Sequence, residues 1–166
     1  ADWPANLPYP LEAWRADQLA QMPTYYIMDL DADMAGTVAP HMPSAEAIAA
    51  NQWLPDRELA VYSECFAHNG FQGGLQWYRC TTSGRFDAEH EIFGARTIDI
   101  PSCFIAGKSD WGVYQRPGHF ERMQGSVCTR MHDVHLVEGA GHWVQQEQPV
   151  ETVRLLLRFL ARARAG

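Results

Sequence analysis

Gly139-Ala140-Gly141-His142-Trp143-Val144-Gln145-Gln146-Glu147-Gln148-Pro149 is the stretch that decides how this chain folds. It follows a short apolar run, Val134 to Val137, that has the character of a buried strand. It precedes Pro149 to Ala163, whose pattern is that of an amphipathic helix. A histidine therefore stands on a glycine-flanked loop at the end of a strand. Open α/β sheets gather ligands and chemistry at that position. The glycines permit a tight turn and leave the imidazole uncrowded. An imidazole held there can take up a proton near neutral pH. A lone loop histidine is more often merely solvated, so its meaning depends on what lies upstream.

Upstream, Ile98, Ile100, Cys103, Phe104, Ile105 and Ala106 form a nearly continuous apolar run, broken only around Pro101-Ser102. That suits a parallel strand buried on both faces. Gly107-Lys108-Ser109-Asp110 is its C-terminal loop. Asp110 and His142 thus end strands in consecutive βα units, and their loops share one edge of the sheet. One helix, one strand and their loops fill the interval between them. A carboxylate so placed can hydrogen-bond one imidazole nitrogen, fix the tautomer and stabilise the imidazolium. The other nitrogen is left to activate water. The plain alternative for Asp110 is a helix cap or a surface carboxylate.

The remainder divides in two. Ala1 to Pro10 is an extended entry segment, and Leu11 to Gln21 can form a helix. Pro23 opens an apolar, aromatic element containing Tyr25 and Tyr26. Ser44 can cap a short helix through Ala50. Pro55 to Asn69 makes a better one, with Leu59, Tyr62 and Phe66 on one face and Gly70 ending it. A glycine turn then leads into another short helix, and Ser83 to Glu91 reads as a polar connecting loop. A helix is expected within Pro117 to Gln124. The final helix puts Val153, Leu156, Leu157 and Leu160 on one stripe. Residues 1–95 are expected to be all-helical, and residues 96–166 to run strand, helix, strand, helix. Two parallel strands do not make a stable sheet, so the fold is expected to be completed by polypeptide outside this sequence. The chain begins at Ala1, within a run holding Pro4, Pro8 and Pro10. A natural subunit, a nicked product and a truncated piece all fit that start.

Composition limits the partners. The chain has 166 residues, one domain's worth, with 46% hydrophobic and 20% charged residues. A net charge of -7 argues against a nucleic-acid partner, because phosphate binding needs a basic surface. No segment reaches the roughly 18 apolar residues of a membrane span. Cys65, Cys80, Cys103 and Cys128 are too spread for a disulfide scaffold, which favours reduced thiols and a cytoplasmic location. Asp29-Leu30-Asp31-Ala32-Asp33 starts like a calcium loop. Met34 then stands where a glycine is needed and Pro40 where a glutamate is needed, so neither a metal nor another cofactor is expected.

Three segments resemble the epoxide-hydrolase branch of the α/β-hydrolases. Ile105-Ala106-Gly107-Lys108-Ser109-Asp110 resembles the strand and loop carrying that family's triad acid. Gly141 to Pro149 resembles the segment carrying its histidine. Gly70-Phe71-Gln72-Gly73-Gly74-Leu75-Gln76-Trp77-Tyr78-Arg79 resembles a segment of its lid. The resemblance implies an α/β fold in which residues 1–95 are a helical lid and residues 96–166 are the C-terminal part of the hydrolase sheet. It implies His142 as base, Asp110 as its orienting acid, and Tyr78 as a phenol that hydrogen-bonds the epoxide oxygen. Tyr26 is favoured as the second such phenol, with Tyr25 as a neighbouring choice. Trp111 and Trp143 are candidates to line the pocket, although packing suits either. The departure is large. There is no Gly-x-Ser-x-Gly, no Gly-x-Asp-x-Gly and no His-Gly oxyanion segment. The nucleophilic aspartate is then expected from a missing N-terminal half or a second polypeptide, acting on a small apolar epoxide. A haloalkane or haloacetate dehalogenase, or an esterase, shares the same histidine logic. A non-catalytic binding protein of the same fold is the alternative outside catalysis.

Overall fold

The computed structural model describes residues 28–113 and 115–165. The expected helix from Leu11 to Gln21, and Tyr25 and Tyr26, lie outside the described residues.

The described N-terminal part is helical. Asp33 caps α1 (Met34–Val38), its carboxylate accepting the Gly36 N–H at 2.6 Å. The acidic run that opens like a calcium loop thus ends as a helix cap. Ser44 caps α2 (Ala45–Ala50) by accepting the Ala47 N–H at 3.1 Å. Helix α3 (Asp56–Asn69) stops at Gly70, whose φ of 68° is costly for any residue with a Cβ. Phe66 and Phe71 stack across that turn, with centroids 4.7 Å apart. Helix α4 (Gln72–Thr82) follows, carrying Tyr78. The expected polar loop contains one more helical piece, α5 (Asp87–Glu91). Asp87 and Glu89 favour its first turn, where exposed N–H groups attract negative charge. The chain then turns at Ala95, a non-glycine residue with φ of 62°. That conformation costs about 1–2 kcal/mol, and it leads into the α/β part.

Strands β1 (Ser102–Gly107) and β2 (Met131–Val137) pair in parallel, with Phe104 opposite Val134 and Gly107 opposite Val137. Ile98 adds a single parallel bridge to Cys128 ahead of them. Pro101, which has no N–H to give a ladder, separates the bridge from the strand. Between the strands, α6 (His119–Arg122) widens into a π-helical turn over Met123–Val127. Strand β2 begins at Met131, ahead of the apolar run. Its polar first residues find partners on the last helix. Asp133 accepts two hydrogen bonds from Arg162, at 2.7 and 2.8 Å, and the His132 ring meets Phe159 edge-on at 6.1 Å.

Helix α7 (Val144–Glu147) leads to α8 (Pro149–Ala165). The extent of α8 matches expectation and its orientation does not. Leu155 is the residue turned inward, packing with Val137, Ala140, Val144 and Ile105. The stripe of Val153, Leu156, Leu157 and Leu160 is exposed. The helix is apolar on two sides, and a two-stranded sheet covers only one. Among the described residues no side chain is completely buried. All four cysteines are free thiols. Burial, and then the charge of Asp133, push the Cys103 thiol up. No described helix is long and apolar enough to cross a membrane.

Burial this slight among the described residues does little to offset the entropy of ordering them. The 166-residue chain on its own is expected to show no sharp thermal transition and to bind a hydrophobic dye strongly. A cooperative melt followed by calorimetry, in a soluble monomer, is the contrary result.

Candidate active site

The site is built where the loops after β1 and β2 touch. Gly107 ends β1, and a Cβ there would lie 2.1 Å from the Gly141 carbonyl oxygen and 2.4 Å from that of Ala140. Only glycine allows this approach. Two backbone hydrogen bonds then join the loops. The Lys108 N–H donates to the Val137 carbonyl at 2.8 Å, and the Ser109 N–H to the Ala140 carbonyl at 3.0 Å. Lys108 and Glu138 pair above them at the surface.

This closure sets Asp110 against His142. Both carboxylate oxygens of Asp110 lie 3.2 Å from His142 Nδ1. A carboxylate only accepts hydrogen bonds, so the contact selects the tautomer with a proton on Nδ1. The Asp110 side chain is 11% exposed and that of His142 is 61% exposed. The acid is therefore shielded while the ring faces outward. Asp110 is itself held, since its Oδ1 accepts the Gly112 N–H at 2.8 Å. His142 Nε2 has no hydrogen-bond partner among the described residues. The arrangement can accept a proton at Nε2 and stabilise the resulting cation through Nδ1.

The other expected residues are distributed around this pair. Trp143 meets the His142 ring edge-on, with centroids 5.1 Å apart, and stays half exposed. Trp111 is buried in the short helical turn after Asp110. Tyr78 sits on α4 and is 67% exposed. No hydrogen bond joins it to Asp110 or His142. Tyr62 on α3 makes a contact that its helical spacing did not foretell: it accepts a hydrogen bond from Gln146 Nε2 at 2.5 Å. Beside it, Leu59, Phe66, Ala67 and Phe71 help line an open apolar groove of about 460 Å³. Among the described residues, no three His, Cys, Asp or Glu side chains gather to hold a metal. Sequence reasoning also passed over Glu147. Its carboxylate accepts the Gly141 N–H at 2.8 Å and the Trp143 N–H at 2.9 Å. Its place five residues after the histidine is the only trace of that role in the sequence.

With this geometry in hand, the chain is similar to Epoxide hydrolase A of Mycobacterium tuberculosis. The two are 38% identical over 113 residues, covering 65% of this chain and 32% of that protein. Over the matched residues the chain resembles the C-terminal part of the epoxide hydrolase family. Among solved epoxide hydrolases, potato (Solanum tuberosum) epoxide hydrolase I superposes with a TM-score of 0.59 at 26% identity. That match covers 73% of this chain and 38% of that one. Epoxide Hydrolase A from Mycobacterium thermoresistibile gives 0.54 at 36% identity, over 67% and 33%. The strand pair and its helices are the C-terminal part of that α/β-hydrolase fold. The chain spans about a third of the length of the curated epoxide hydrolases it matches. No protein-family model matches it.

Gly107→Ala should force the two loops apart and break the Asp110–His142 contact. Catalysis through His142 is expected to fall about 100-fold, the cost of misplacing a reacting group by roughly 1 Å. A crystal structure of the variant checks the first expectation and steady-state kinetics the second.

Proposed function

We propose that this chain supplies the base, its orienting acid and the lid of an epoxide hydrolase. What supports this reading is the 3.2 Å approach of the Asp110 carboxylate to His142 Nδ1 in a chain 38% identical to a named epoxide hydrolase. In this scheme residues 1–95 form the lid and residues 96–166 the C-terminal part of the core. The nucleophile is an aspartate on the N-terminal half of the core, carried by a second polypeptide or by further chain. A cytoplasmic setting, compatible with free thiols, belongs to the same reading.

The reaction then has two steps. A carboxylate oxygen of the nucleophilic aspartate attacks an epoxide carbon, and the ring carbon–oxygen bond breaks. The alkoxide takes a proton from a lid phenol, Tyr78 assisted by Tyr26 or Tyr25. A phenol suits this work because it is a neutral donor at pH 7, aimed where charge develops. Next, His142 Nε2 takes a proton from water, and the resulting hydroxide attacks the ester carbonyl. The tetrahedral adduct collapses, its bond to the diol oxygen breaks, that oxygen takes the proton of the new carboxyl group and the aspartate is restored; the imidazolium proton returns through water to the phenolate. Asp110 holds the imidazolium during this second step. Trp143 meets the base edge-on, and Trp111 is buried in the turn after Asp110. The substrate class is a small apolar epoxide.

His142→Gln in the assembled protein should leave ring opening intact and block ester hydrolysis. Intact-mass spectrometry would then find the protein heavier by one substrate. Tyr78→Phe should slow ring opening by about 100- to 1,000-fold, the usual cost of losing one donor to a developing oxyanion. It should leave hydrolysis of a simple carboxylic ester unchanged. Epoxide turnover unaffected by Tyr78→Phe, or release of halide from a haloalkane in place of epoxide turnover, would reject this assignment in favour of a dehalogenase or esterase.

A further inference from the structure

The loop that presents His142 is fastened at both sides by one side chain. Gly139 turns the chain with φ of 68°, and Ala140 is buried against β2 and α8. Beyond them stand two amides, one residue before the histidine and one residue after it. The Gly141 N–H donates to Glu147 Oε2 at 2.8 Å and the Trp143 N–H to Glu147 Oε1 at 2.9 Å. The Glu147 N–H in turn donates to the Trp143 carbonyl at 2.8 Å. Both oxygens of one carboxylate are thus used on the backbone that brackets His142. Hydrogen bonds to an ionised acceptor are stronger and shorter than neutral ones. Free rotation at a glycine on one flank is removed by the same contact.

We infer that Glu147 is a positioning residue for His142, setting the direction in which the imidazole meets Asp110 and water. The carboxylate cannot be replaced by an amide of equal size. A glutamine offers one carbonyl oxygen to the two N–H groups and turns an NH₂ donor against the other. One tie is lost and one repulsive pair is made, whichever way the amide is flipped. The loop then relaxes on one side of the histidine. Because the base works only in the second step of the proposed reaction, the damage falls on that step. This last consequence rests on the epoxide hydrolase reading; the geometric role does not.

The test compares the assembled protein with its Glu147→Gln variant and with Gln145→Ala, an exposed change in the same short helix. Proton NMR should find the low-field Nδ1–H resonance of His142 in the unaltered protein and in Gln145→Ala. It should be shifted or broadened away in Glu147→Gln. With styrene oxide as substrate, single-turnover kinetics should show ester hydrolysis slowed about 10- to 100-fold in Glu147→Gln, the range for losing a supporting hydrogen bond behind a reacting group. Ring opening should change less than about threefold, so that kcat and KM fall together. A residue that merely stiffens the fold would lower the melting temperature and leave the resonance and the ratio of the two steps alone. That result, or equal slowing of both steps, overturns the inference. Should Glu147→Gln not fold, hydrogen exchange in the unaltered protein decides. Slow exchange at the Gly141 and Trp143 amides is expected, and rapid exchange at both would refute the clamp. If styrene oxide is not turned over at all, the proposed function fails while the resonance still judges Glu147.

Discussion

Two loop backbones meet at Gly107 closer than any side chain could permit, and the rest of the site depends on that meeting. The absent Cβ lets the Ala140 and Gly141 carbonyls close over the end of β1. The Ser109 and Lys108 amides can then reach across to the neighbouring loop. Asp110 and His142 come to face each other as a result. The parallel register fixes the distance along the sheet, since Gly107 stands opposite Val137 and each strand releases its chain at the same level. The pair is therefore a product of strand pairing and one missing methyl group, with the carboxylate–imidazole contact as its outcome.

Much of this was legible in the sequence because it is governed by local rules. A glycine-flanked histidine after an apolar run marked the end of β2. Gly107 to Asp110 after another run marked the end of β1. Ser44 before an alanine-rich segment and Gly70 after a periodic one gave helix ends that the structure reproduces. These signals need only the chain's nearest neighbours, so a single sequence contains them. Segment resemblance carried the family, which the comparisons then bear out.

What stayed hidden depends on partners distant in sequence. The inward face of α8 is set by Leu155 meeting Val137 and Ala140, while the more conspicuous stripe of Val153, Leu156, Leu157 and Leu160 faces outward. Periodicity cannot choose between two apolar faces when both exist. The start of β2 was missed because His132 and Asp133 look like loop residues until Phe159 and Arg162 are seen beside them. Glu147 was quoted in the histidine segment, yet acceptance of two backbone amides leaves no compositional mark. Tyr78 was singled out by motif, and its exposure on α4 reflects how little of a surrounding wall these residues provide.

The Gln146–Tyr62 hydrogen bond has a mechanical corollary. Gln146 and Glu147 are adjacent in α7, a helix of only four residues. One of them grips the helical region through α3, and the other grips the backbone on both sides of the histidine. A single turn of helix is too short to bend between consecutive residues. Tyr62 and the backbone flanking His142 are therefore moored to neighbouring residues of the same short helix.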